Sequence, residues 1–406
     1  MFFNPLIPPA MILAQILAWL FLARRLGGAA RAVARGMYLL ANVAALGSFY
    51  VLYYSPGPPT VSALLWDYVY RPAFLWEAVH LAWLPLALAL SVLGLGLRQL
   101  SRPGGKGLQR LFKADPKKPR LLDARVALLA LMLALAAYGY AHQLAPPRVR
   151  ATDVPIAGLP PALDGFRIAL VSDLHYGLGQ NLTGLAAAMA RTASLRPDLV
   201  ILAGDLVDRR ASLALDFRIP VRSLASVPHG VYAVLGNHDR GVDDPDALVA
   251  NLRAAGLPVL MDQRLNLPGL PLSLIGFDDQ GDEGLEYHGG RLRLDFGRIK
   301  GPPPRPGDLE VAVSHRPEGI ADASSGGARL MLSGHTHGGQ VAAPWDDQLN
   351  LASLVFGFPY SSGLYRISDL TLFVTSGLAS GFQFRLFAWP EIAVLTLRGQ
   401  PQPANP

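Results

Sequence analysis

Cysteine is absent from all 406 residues, which excludes disulfides and thiolate metal ligands together. Charge is scarce too: 16% of residues are Asp, Glu, Lys or Arg while 51% are hydrophobic, a balance unusual for a wholly soluble chain. Acidic residues are rarest at the front, where residues 1–142 hold 14 Lys and Arg but 4 Asp and Glu, against 22 and 26 in residues 143–406. The net charge of +6 therefore belongs to the apolar leading part. That placement argues for a membrane rather than nucleic acid.

What is present begins with four apolar segments near 7–23, 37–54, 73–97 and 126–141. Each approaches the roughly 17–25 helical residues that cross a bilayer. Buried core helices are the alternative, but four runs with so few charges would leave almost no polar face. No Lys or Arg precedes Arg24, so the first run lacks the basic start of a signal peptide and reads as retained. Arg24, Arg25, Arg31 and Arg35 occupy the first connection, and Arg98 to Arg125 the third, whereas the second offers only Arg71. Basic connections stay cytoplasmic, so four spans place everything after His142 on the opposite side. The expectation is an integral protein of a bacterial inner membrane with a periplasmic or extracellular domain. Glu77 and His80, three apart in the third run, read as a wetted interfacial pair rather than an intramembrane site.

A proline-bearing linker over 143–165 leads into short apolar runs alternating with helical stretches, the pattern of an α/β sandwich over 166–400. Strands are expected at 166–171, 198–202, 231–235, 272–276, 311–313, 330–332, 372–375 and 392–397, with a helix over 182–195. Five of these runs end in polar loops: Asp173-Leu174-His175, Gly204-Asp205-Leu206-Val207-Asp208, Gly236-Asn237-His238-Asp239, Ser314-His315, and Gly334-His335-Thr336-His337-Gly338-Gly339. Taken alone, the last is read equally well as two solvent-exposed histidines in a glycine loop. Together the loops gather five of the nine histidines at strand ends, which core packing does not explain. The spacing of two in Asp173-Leu174-His175 would let both side chains leave an extended backbone on one face.

With these five blocks, the chain from Phe166 onward resembles the calcineurin-like metallophosphoesterase family. The apolar front end, the Gly-His-Thr-His-Gly-Gly-Gln loop, and the later Ser362-Gly363-Leu364-Tyr365, Ser376-Gly377-Leu378 and Pro390-Glu391-Ile392 look like its membrane-associated bacterial members. The resemblance implies two divalent ions, Mn, Fe, Zn or Mg. One would be held by Asp173, His175, Asp205 and His337, the other by Asp205, Asn237, His315 and His335, with Asp205 bridging. Hydroxide shared by the pair would attack a phosphomono- or diester, His238 would act as general acid and Asp208 would orient its ring. Arg209 would contact phosphate as in related enzymes or form a surface salt bridge, and Arg385 is read in the same two ways. Asp239 fits either a partner behind the ligands or the N-cap of a helix over 245–255. The implied substrate is a phosphate ester, with lipid or cell-envelope esters among the candidates. Two alternatives stay open: a cytoplasm-facing hydrolase of a lipid-biosynthetic pyrophosphate, and a non-catalytic membrane sensor with a metal-phosphate site.

Overall fold

The computed structural model describes residues 124–400, except 282–292, 356 and 381–383, together with isolated positions between 36 and 86. The chain divides into two compact units, Met1–Tyr140 and Ala141–Pro406. Apart from those isolated positions, the first three expected spans lie outside the described residues, as do Glu77 and His80. The fourth falls in helix α1 (Ala124–Gln143). Among the described residues no helix is long and apolar enough to cross a membrane. This corrects the expectation of a four-helix transmembrane region and of an integral membrane protein. The physical reason at the one visible run is local: α1 ends in His142 and Gln143, whose polar side chains are buried within the second unit.

Besides a separate short antiparallel pair, β9 (Ala342–Ala343) and β10 (Asp346–Asn350), that second unit is a sandwich of two sheets. One runs in the order β1 (Arg148–Ala157), β13 (Glu391–Gln400), β2 (Arg167–Val171), β3 (Leu199–Ala203), β4 (Val231–Val234). The other runs β11 (Gly363–Ile367), β12 (Leu370–Val374), β8 (Leu330–Ser333), β7 (Leu309–Val313), β6 (Leu272–Gly276), β5 (Gln263–Asn266). Strands β2, β3 and β4 are parallel, and so are β6, β7, β8 and β12. Parallel strands covered on both faces need unbroken apolar runs, which is why Leu199-Val200-Ile201-Leu202-Ala203 carries no polar residue.

Alternation along each strand sorts its side chains into layers. Ile168, Leu170, Leu199 and Ile201 meet Val311, Leu330, Leu332 and Phe373 between the sheets. Their neighbours Ala169, Val171, Val200 and Leu202 pack with Leu185 and Met189 of α2 (Leu182–Ser194) and with Leu248 and Leu252 of a later helix, Pro245–Ala254. Beyond the second sheet, Ile275, Ala312 and Met331 pack with Ile320 and Ala323. Helix starts obey local chemistry: Asn181 caps α2 by accepting from the Gly184 amide, and Asp244 caps the later helix by accepting from Ala247, with Pro245 in the first turn. Strand β1, inside the stretch expected as a linker, pairs in parallel with β13 over its whole length.

Candidate active site

All five expected loops leave the carboxyl ends of β2, β3, β4, β7 and β8, so two sheets deliver their polar ends to one region. Asp173 and His175 do not leave an extended backbone. Both have positive φ, 54° and 45°, and so do Asp205 (52°), His335 (74°) and His337 (52°). A left-handed backbone at a non-glycine residue costs of order 1 kcal/mol or more and clusters where surrounding structure enforces it. Here the enforcement is hydrogen bonding across loops: the Asp173 amide donates to Gly204 O (3.0 Å) and the His175 amide to Asp205 O (2.9 Å). Gly204 itself has φ +85°, and a Cβ there would stand 2.6 Å from His315 Nδ1. Only glycine lets β3 end so close to that ring.

Asp205 lies at the centre. Its Oδ2 is 3.2 Å from His315 Nε2 and 3.5 Å from His175 Nε2, and its Oδ1 accepts from the His238 amide at 2.9 Å. Burial works against ionisation, but His315, His238 and His175 hold Asp205 well below the usual carboxylate range. His315 donates from Nδ1 to Ala203 O at 2.7 Å, and His337 from Nδ1 to Ala379 O at 2.9 Å. Each backbone carbonyl thereby fixes one tautomer and leaves Nε2 as the donor atom. His175 is fixed similarly by Asp208, 3.1 Å from its Nδ1.

Four of these polar groups are buried without a hydrogen-bonding partner among the described residues: Asp173 Oδ1, His175 Nε2, Asn237 Oδ1 and His315 Nε2. Orphaned buried polar atoms cost roughly 1–3 kcal/mol each. Their donor chemistry, carboxylate, amide and imidazole without sulfur, is that of hard or borderline divalent cations. Three groups of donor atoms lie close enough to share an ion: Asp173 with His175 and His337, Asp173 with Asp205 and His315, and His175 with Asp205 and His238. The residues present therefore fit metal ions. His335 joins less directly. Its amide donates to Asp173 Oδ2 (3.2 Å), its ring packs edge-on to His315 at 5.1 Å, and its Nε2 lies 3.3 Å from Arg316 Nη1.

His238 is partly exposed, 30% at the side chain against 0% for His175 and His315. Its Nδ1 meets Asp208 Oδ1 at 2.6 Å. Burial opposes protonation of this ring, but Asp205 and Asp208 raise its pKa to about 9. Asp208 thus serves His175 and His238 at once, which sequence spacing does not reveal. Asp239 resolves into a buried acceptor for the amides of Leu206, Val207 and Gly236, bracing the backbone behind Asp205; the cap of the next helix is Asp244. Burial and the charge of Asp205 push Asp239 up to about 7. Arg209 borders the group with φ 66°. Arg385 is no phosphate contact: it is fully buried and donates to protein oxygens. Sequence reasoning missed Arg316, held by Asp279 at 3.0 Å beside His335, although it directly follows His315.

An α/β sandwich whose strand ends bring carboxylate, amide and imidazole donors to one buried point belongs to the class of proteins built around hydrolytic metal ions. Residues 166–339 match the calcineurin-like phosphoesterase family model. Among curated proteins the chain is similar to a bovine "transmembrane protein with metallophosphoesterase domain", 29% identical over 297 residues, covering 70% of this chain and 65% of that protein. It is similar also to the Bacillus subtilis "uncharacterized metallophosphoesterase YkuE", 28% identical and covering 64% of this chain and 90% of that one. The Escherichia coli "phosphodiesterase YaeI" is 28% identical, covering 68% and 98%. The chain thus spans just under two thirds of the bovine relative. Residues 166–339 thus form a calcineurin-like metallophosphoesterase domain.

Proposed function

We propose that this protein hydrolyses phosphate esters with two divalent cations. The observation that carries this reading is the set of buried, unpartnered donor atoms on Asp173, His175, Asn237 and His315 around the Asp205 carboxylate. Asp173, His175, Asp205 and His337 would hold one ion and Asp205, Asn237, His315 and His335 the other. When bound, the pair would supply positive charge for the phosphoryl oxygens and acidify an attacking water. Asp205, held ionised by three surrounding histidines, contributes negative charge at the centre. His238 presents the ring nitrogen not taken by Asp208 to the leaving-group oxygen and gives it a proton. Asp208 keeps that proton available by stabilising the charged ring. Arg209 adds a cation for the substrate phosphate.

The relatives' printed names support phosphoester chemistry, and YaeI's adds diesters to the substrates worth assaying. A second reading, that the ester is amphiphilic, is favoured by exposed apolar side chains at Trp345 (81%), Leu354 (70%) and Val355 (63%), in the segment that follows His337. The test is the full chain loaded with Mn²⁺ and assayed on an aryl phosphomonoester, an aryl phosphodiester and a vesicle-borne phospholipid. Turnover that a chelator abolishes and metal restores is expected. No turnover on any substrate across several metals would favour a non-catalytic metal-phosphate module instead.

A further inference from the structure

Arg385 is the largest fully buried side chain among the described residues, and no described carboxylate pairs with it. All of its acceptors among the described residues are carbonyl oxygens. Nε donates to Gln143 Oε1 at 2.8 Å, Nη2 to Ala379 O, and Nη1 makes longer contacts of 3.4 Å with His337 O and Ala388 O. Ser380 Oγ reaches the same Gln143 oxygen at 3.4 Å. A buried cation met, among the described residues, by neutral oxygens alone is costly. Such a group persists where its geometry is required.

What it grips gives that geometry a purpose. The Ala379 carbonyl held by Arg385 is the one that accepts from His337 Nδ1 at 2.9 Å. The amide of the same residue donates to Asp173 O at 2.8 Å. One residue thus touches two members of the proposed ligand set, and Arg385 clamps it. Gln143, the last residue of α1 and buried to 6% exposure, closes the chain from the other end.

We propose that Gln143 and Arg385 are positioning residues for the metal site: the last turn of α1 holds the guanidinium, the guanidinium holds the Ala379 carbonyl, and that carbonyl holds His337 in the tautomer that offers Nε2. Gln143, which lies in the second unit just ahead of the phosphoesterase domain, is on this account a working part of the site, and its replacement reaches His337 without touching substrate. The inference rests on the metal-dependent reading above.

The test uses the full chain, with Mn²⁺ as probe, comparing wild type, Gln143→Ala and Gln143→Glu. Calorimetric titration reads Mn²⁺ affinity, nitrogen-15 spectra of the histidines read the His337 tautomer, and melting of the metal-free protein reads folding. Gln143→Ala should weaken the tighter-coupled Mn²⁺ event about tenfold, the lower end of what partners behind metal ligands contribute, and broaden the His337 signal into a tautomer mixture. Gln143→Glu, which keeps an acceptor for Arg385, should restore both. Wild-type affinity and tautomer in Gln143→Ala, or equal losses in the two variants, would overturn the proposal. So would a fall in metal-free melting temperature with Mn²⁺ affinity intact. Failure of wild type itself to take up Mn²⁺ would instead bring down the metal-dependent reading on which the proposal rests.

Discussion

The two sheets contribute unlike chemistry to the same pocket. Loops after β2, β3 and β4 bring every carboxylate of the proposed centre, Asp173, Asp205 and Asp208, with Asn237, His175 and His238. Loops after β7 and β8 bring three imidazoles, His315, His335 and His337, with Arg316 beside them and no carboxylate of the proposed centre. Each sheet alone would fail as a site, the first through uncompensated acidic charge and the second through lack of it. The core of Ile168, Leu170, Val311 and Leu332 that joins the sheets is therefore also what assembles the centre. Folding and site formation are coupled through sheet-to-sheet packing.

Breaking the acidic side at its centre should have the largest effect. Asp205→Ala removes the one carboxylate proposed to touch both ions, and is expected to lower kcat/KM by on the order of 10⁴-fold, with bound metal falling toward zero by elemental analysis. His238→Ala leaves the proposed ligands in place. It should lower kcat about 10²–10⁴-fold while metal content stays at the wild-type level, a split that separates proton donation from metal binding. On the imidazole side, His315→Ala should cost one ion and spare the other, measured as a halved metal content. Gly204→Ala forces a Cβ against His315 at a positive φ and should destabilise the metal-free fold by about 1–3 kcal/mol in urea unfolding. A comparable effect on stability should be visible without mutation. If the ions bind only the folded chain, free metal at 100 times its Kd adds about 2.7 kcal/mol of stability per site, and a chelator removes it.

The same comparison explains what the sequence makes legible. Each buried parallel strand announces itself as an apolar run, so β2, β3, β4, β6, β7 and β8 are read from local pattern, and the polar loops after all but β6 of these supply the candidate site residues. Other features depend on partners far along the chain. β1 pairs with β13 some 240 residues away, and its half-exposed, arginine-bearing sequence resembles a linker. The left-handed backbone of Asp173 and His175 is imposed by Gly204 and Asp205, and no residue near them in sequence signals it. Asp208 is within reach of two rings only after β2, β3 and β4 are side by side. Apolar content misleads at the front: the run over 126–141 reads as a membrane span, yet its helix ends in two buried polar residues, one of which holds Arg385.

The proposed chemistry requires two ions at Asp205. Elemental analysis of the purified full-length chain, after equilibration with Mn²⁺ and removal of unbound metal, measures this directly. Two ions per chain in wild type and near zero in Asp205→Ala is the expected result; an ion-free wild type, or an Asp205→Ala chain that still carries two, would contradict it.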